Sequence, residues 1–531
     1  MIRRRRWLWI AGAAALAYAV FGHHGGNRRA DPAPTPAAAP AAASNAFAVL
    51  AGSELRELEP ALMKTAQAAG VALKISYAGT LDIVERINAG EAFDAILPPN
   101  GAYPALALAT KPLARDKLFY SRVALGVKAA KAQALGWDQR APSWAEIAKA
   151  AGEGMLRYAM TNPASSNTGM SALFAVASAV AGKTEDLSVD EVDGKVLKAF
   201  LAGQKLTAGS SGWLAEAFVK DPSALDAMVN YEAVILRSND KLAAADKLTL
   251  VYPQDGVISA DYPLMLLNAA KRGDYDKLVA AFKAPAFQRQ VASEAYLRPT
   301  LSDVPLAAGL STKAVAELAF PNRLEVIDAV LGAYQGQWRR PATSIFVLDI
   351  SGSMKGPRLE AMRAALKVLA GAEASSASAR YARFQSRERV VLIAFSDRVE
   401  APVRVNFDAQ ALDLARQKVL DYADALSVKG GTAIFDALLQ AEAVASDERL
   451  KDEERFISIV LLTDGENNVG ADIATFRSRL TGGVPARVFP ILFGEASHTE
   501  MEALAQFTGG RVFDGRKAAL AQVFKEIRGY Q

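Results

Sequence analysis

The sequence contains no cysteine, which removes disulfides, thiolate metal sites, cysteine nucleophiles and lipid attachment through an N-terminal cysteine. Histidine is nearly absent as well: of the three present, His23 and His24 lie close to the N-terminus and leave His498 alone in the remainder of the chain. With no second histidine or cysteine to partner it, a serine or metal hydrolase of familiar design finds no support, and no enzymatic activity is expected. An excess of one charge is also lacking. The formal net charge is +4 over 531 residues, and much of it sits in residues 3–6 and Arg28-Arg29, so the body of the chain offers no electrostatic footprint for nucleic acid. A phosphate-binding P-loop is missing too. Residues 177–184 come near the pattern, but alanine stands in place of the first glycine and a helical pattern precedes it, so Gly182 reads as the end of a helix.

Long apolar runs are confined to residues 7–21, which follow four consecutive arginines and have the length of a signal-peptide core. Ala17-Tyr18-Ala19 fits a small-x-small cleavage site, yet the run is also long enough to stay as a short membrane anchor. Residues 1–26 are therefore read as a signal peptide or an N-terminal anchor in the inner membrane. The arginines then place everything beyond about residue 25 on the periplasmic or extracytoplasmic face. Residues 27–44 form an alanine- and proline-rich linker with nothing to bury.

The most informative stretch is Ser344-Ile345-Phe346-Val347-Leu348-Asp349-Ile350-Ser351-Gly352-Ser353-Met354, an apolar strand opening onto one carboxylate and two hydroxyls. Two later segments extend it. Lys429-Gly430-Gly431-Thr432 is a glycine turn with a threonine at a helix start, and Ile459-Val460-Leu461-Leu462-Thr463-Asp464 is a second apolar strand ending in an acid. Oxygen-only donors after strands favour Mg2+, with Mn2+ or Ca2+ as alternatives, over zinc or copper. An acid after a strand often serves only as a helix N-cap, but two of them with matching hydroxyls make capping an insufficient reading. Short apolar runs at 345–348, 390–395, 457–462 and 488–493 alternate with helical patterns at 358–369, 411–426 and 433–445, which predicts a doubly wound, mostly parallel sheet.

This half, residues 342–531, resembles the von Willebrand factor A domain with its metal-ion-dependent adhesion site. The matching positions are Asp349, Ser351, Ser353, Thr432 and Asp464. The resemblance implies that the two serines bind the cation directly, that the threonine and second aspartate act directly or through water, and that an acidic residue of a partner protein completes the coordination.

Residues 45–302 form a second unit. Ala51-Gly52-Ser53, Gly79-Thr80-Leu81-Asp82 and the segment from Asn162 to Gly169 each read as a strand end, a hydroxyl and a helix start, which together suit a small oxyanion. With Asn230-Tyr231-Glu232 and Tyr252-Pro253-Gln254-Asp255-Gly256, they resemble two-lobed bacterial extracellular solute-binding proteins of the periplasmic type II class. The resemblance implies that Ser53, Thr80, Ser166, Thr168 and Tyr231 face the cleft between lobes. Leu97-Pro98-Pro99-Asn100 departs from the serine-rich loop common there, so a fold without a retained ligand stays open. Residues 303–341 carry amphipathic patterns at 310–318 and 323–331 and are read as a helical connector, with 335–341 as its last hinge. The tryptophans Trp137, Trp144, Trp213 and Trp338 are read as core or lobe-packing residues.

The fold expected is thus α/β: a two-lobed periplasmic-binding-protein-like domain followed by an A domain. The function expected is a non-enzymatic extracytoplasmic binding protein that engages a protein partner through its cation, while the solute-binding-like unit senses a small anion or acts as scaffold. The alternative is the substrate-binding receptor of a transport system, with the A domain as docking module.

Overall fold

Uninterrupted apolar segments such as Phe47–Gly52 and Ala342–Asp349 bury both faces, which is the pattern of strands covered by helices on each side. The computed structural model describes residues 46–372, 377–480, 483–494, 497–516 and 520–530. The predicted export segment and the 27–44 linker lie outside them. Among the described residues no helix is long and apolar enough to cross a membrane.

Two sheets build the first half. One runs Leu73–Ala78, Phe47–Gly52, Ala95–Leu97, Pro263–Leu266, Ala114–Lys117, its first three strands mutually parallel and its last two joined antiparallel. The other centres on the long strand Phe119–Lys128, which pairs with Ala227–Tyr231 and also takes up Leu248–Val251, Ser259–Ala260 and Arg298–Pro299. The chain passes between the sheets at Leu118 and again at Asp261-Tyr262, and the two crossings are bonded to each other by the Leu118 N–H on the Tyr262 carbonyl at 3.2 Å. Tyr262 holds a positive φ of 31°, a conformation costly for an aromatic residue and held here by its fully buried ring. Two sheets joined by paired crossings make the two-lobed architecture expected.

The second half is one six-stranded sheet in the order Val403–Phe407, Glu388–Phe395, Ala342–Asp349, Phe456–Thr463, Arg487–Leu492, Phe513–Asp514. Every pairing is parallel except that of the Val403–Phe407 edge. Helices Pro357–Ala370, Leu412–Ala425 and Ile434–Lys451 fall on the predicted patterns and cover the sheet.

The connector departs from expectation. Residues 310–318 are irregular, because Glu317 forms a bridge with Val257 and accepts from the Ser259 N–H and hydroxyl at 2.8 Å each. These tertiary bonds outweigh the local helical pattern. Only Leu324–Ala333 is an α-helix, continued by a wider π-type turn over Tyr334–Trp338. The segment read as a hinge is instead anchored. Arg339 is buried and donates to Glu388 at the start of its strand, and Arg528 of the last helix donates to the same carboxylate oxygen at 2.6 Å. Gly209 of the first half and Gly529 of the second approach so closely that a Cβ on Gly529 would lie 2.4 Å from the Gly209 Cα. Trp213 stacks on Tyr530 with ring centres 6.4 Å apart, and Arg511 lies 3.8 Å over the Trp213 ring. One apolar core therefore runs from Leu206, Leu214 and Phe218 into Phe489, Phe513 and Tyr530.

Removing the Glu388 carboxylate leaves two buried guanidinium groups uncompensated. Glu388→Ala is expected to cost about 3–5 kcal/mol in chemical denaturation. A loss under 1 kcal/mol would show that the cluster is not what joins connector, sheet and last helix.

Candidate functional site

The parallel register pairs Leu348 with Leu462, so the residues that follow, Asp349 and Thr463, leave neighbouring strands at the same level. The Thr463 hydroxyl donates to Asp349 Oδ2 at 2.7 Å, and the Ser351 N–H donates to Asp349 Oδ1 at 2.8 Å. The Ser351 and Ser353 hydroxyls lie 3.0 Å apart, and Ser353 Oγ donates to Asp464 Oδ1 at 2.7 Å. The glycine turn is tied to the first loop by Lys429 N–H on the Ile350 carbonyl, 2.7 Å, and by Gly352 N–H on the Gly430 carbonyl, 3.1 Å. Thr432 is positioned from the third loop: its N–H donates to Asn468 Oδ1 at 2.9 Å, while the Asn468 N–H returns to its carbonyl at 3.0 Å. A Cβ on Gly465 would lie 3.7 Å from both Ser353 Oγ and Thr432 Oγ1, so all three loops converge there. The structure thus brings all five predicted positions together.

Asn467 and Asn468 escaped the sequence reading. Asn467 Oδ1 accepts from the Ile434 N–H at 2.8 Å and so secures the start of helix Ile434–Lys451. The signal available was a pair of amides three and four residues after a strand-end acid, residues that bond to nearby backbone and shape loops.

Asp349, Ser351, Thr432 and Asp464 are buried and Ser353 is exposed, which gives the cluster a solvent-facing opening. Burial pushes the Asp349 carboxyl above its ordinary range, and the Asp464 charge beside it acts in the same direction. Arg358 donates to Asp464 Oδ2 and, at 3.3 Å, to the Ser353 carbonyl. Carboxylate oxygens keep a second lone pair beyond the bonds described, and hydroxyls offer two, so this donor set fits a hard divalent cation. Among the described residues no three acids, histidines or cysteines cluster, so hydroxyls must supply much of any coordination.

The second predicted site is less uniform. Thr168 and Tyr231 do come together: Asn167 Nδ2 donates to the Tyr231 hydroxyl at 3.0 Å, and the Thr168 hydroxyl lies beside it. Ser166 precedes helix Asn167–Val180 and is buried, without a side-chain bond to the helix end. Thr80 is buried at the start of Thr80–Asn88, next to a point where lobe meets lobe: a Cβ on Gly79 would lie 2.4 Å from the Ser165 carbonyl. Ser53 lines a cavity of about 270 Å³ with Glu54 and Arg56 of its own lobe and Trp213, Arg237 and Lys241 of the other. Sequence reasoning missed Glu54. Its side chain is buried near the Tyr262 and Ser211 hydroxyls, and burial pushes its carboxyl up to about 7, with Arg237 pulling the other way. An acid adjoining Ser53, in a segment expected to present donors to an anion, was the available signal.

Comparison with known proteins agrees with both halves. Residues 48–294 match the family model for bacterial extracellular solute-binding protein, and residues 344–466 match that for the von Willebrand factor type A domain. Inter-alpha-trypsin inhibitor heavy chain H4 of Sus scrofa is 31% identical over 193 residues, 34% of this chain and 19% of the relative; its Homo sapiens counterpart is 30% identical over 202 residues, 35% and 20%. The chain spans about a fifth of the length of these curated relatives. Among solved structures, a ferric binding protein from Campylobacter jejuni is 14% identical, covering 54% of this chain and 96% of that one at a TM-score of 0.42. A von Willebrand factor type A structure from Catenulispora acidiphila is 22% identical, covering 36% and 42% at a TM-score of 0.28. Two families thus meet in one chain, a bacterial extracellular solute-binding protein domain over residues 48–294 and a von Willebrand factor type A domain over residues 344–466.

Proposed function

We propose that this chain is a non-enzymatic, extracytoplasmic binding protein that engages a protein partner through a divalent cation, Mg2+ or in its place Mn2+ or Ca2+. Asp349, Ser351, Ser353, Thr432 and Asp464 would hold the ion, which supplies a Lewis-acidic contact for an acidic residue of the partner. The observation that carries this reading is the meeting of these five oxygen-bearing side chains at one strand edge, with Ser353 open to solvent. The arginine-led N-terminal segment supports tethering at the inner membrane with the domains on the periplasmic side. The solute-binding-like unit serves in this reading as the scaffold that presents the A domain. The receptor alternative ranks second because the buried Glu54 brings a carboxyl group to the cavity between the lobes, where a free anion would have to sit.

A pull-down from membranes with and without Mg2+ tests the proposal. Wild-type protein is expected to retain a partner only with the cation, and Asp349→Ala to retain none. Equal retention in every lane removes the cation from the explanation.

Calorimetric cation titration gives two further expectations. Thr463→Val deletes the hydroxyl that orients Asp349 and is expected to weaken cation binding by about 10–100-fold. Because the Asp349 carboxyl is raised, protons compete with the cation, so affinity is expected to fall as pH is lowered toward that carboxyl's range. Unchanged affinity in Thr463→Val would separate that hydroxyl from the site.

A further inference from the structure

Glu54 stands where the chain has gathered two unpartnered polar atoms. Its Oε1 and the Asn167 Oδ1 complete no hydrogen bond, and both residues are more than nine-tenths buried. Glu54 lies beside the Ser211 hydroxyl and the Tyr262 hydroxyl, and its charge reaches Tyr231, whose ring centre is 6.0 Å from that of Tyr262. Ser211 opens the helix Ser211–Lys220, Tyr231 precedes Glu232–Asn239, and Asn167, which donates to the Tyr231 hydroxyl, opens Asn167–Val180. The helix dipole at the first turn of Ser211–Lys220 favours a carboxyl oxygen, while burial opposes its charge. Glu54 comes from the first lobe and the three helices from the second, and a Cβ on Gly212 would lie 3.9 Å from the Glu54 Cα.

We propose that Glu54 is the resident ligand of the interlobe cleft: its carboxyl group fills the place a small oxyanion would take and holds the lobes together, so the native chain captures no free oxyanion. The inference is independent of the cation site and gives the scaffold role a physical cause. Deleting the side chain is expected to turn the cleft into a receptor for free carboxylate or sulfate.

The test uses the whole chain with the cation chelated, so that its outcome does not depend on the cation reading. Thermal unfolding is followed against sodium formate and sodium sulfate, with sodium chloride at matched ionic strength. Wild type is expected to show no saturable shift. Glu54→Ala is expected to unfold at lower temperature and to recover saturably with formate or sulfate. Saturable sulfate binding by wild type overturns the proposal, as does a Glu54→Ala protein that neither loses stability nor responds to formate.

Should Glu54→Ala not fold, Glu54→Gln supplies a second readout. The groups facing Glu54 are Arg237, Tyr77, Tyr231 and Tyr262. Its carboxyl is raised by burial to about 7 in the folded chain, so the folded state binds the extra proton and wild-type stability falls as pH rises from the unfolded value toward and through 7. Glu54→Gln is expected to lack that fall. Superimposable pH-stability curves would place Glu54 in solvent and sink the idea.

Discussion

The parallel register between Ala342–Asp349 and Phe456–Thr463 is the constraint on which the geometry of the candidate cation site depends. In a parallel pair with both faces covered, side-chain alternation is fixed by burial, and a slip of one residue would turn Ile345 and Val347 off their face and carry Asp349 away from Thr463. Strand ends at one level bring two separate acids within the reach of two serines. Burying the two carboxylates is unfavourable, and the N–H and hydroxyl donors of Ser351, Ser353 and Thr463, with Arg358, offset that cost. A site so arranged is set by the sheet core before any loop moves.

The two halves are joined by chemistry of a different kind. Glu388 collects Arg339 from the connector and Arg528 from the last helix, and the surrounding contact is apolar and aromatic. Within the second lobe of the first half, Glu232 accepts from Arg298 at 2.6 Å, from the Arg122 N–H at 3.0 Å and from the Tyr252 hydroxyl at 2.5 Å. These bonds tie the strand next to a lobe crossing to the segment that returns from the first lobe.

Much of this was legible from sequence because the cation cluster is local in origin: each acid or hydroxyl directly follows an apolar strand or opens a helix, and spacing alone reveals that. The helices at Pro357–Ala370 and Asn167–Val180 were legible for the same reason. What was not legible depended on partners distant in the chain. Residues 310–318 have a helical pattern, yet Glu317 is drawn to Ser259 across the fold. Residues 335–341 have hinge composition, yet Arg339 meets a carboxylate 49 positions on. Ser53 was assigned to the cleft by analogy of position; that its neighbour Glu54 lines the same cavity, facing Gly212 and Trp213 of the other lobe, is a choice of side-chain direction that no periodicity encodes.

The close approach of Gly209 and Gly529 has an evolutionary consequence. With backbone meeting backbone, a methyl group on Gly529 would lie 2.4 Å from the Gly209 Cα and one on Gly209 3.2 Å from the Glu526 carbonyl, although the two glycines lie 320 positions apart. A recombination event that exchanged either half for a relative from another chain would have to bring a glycine to the same spot and the same angle of arrival. Exchange of one half without its glycine therefore forces a shift of main chain at this contact.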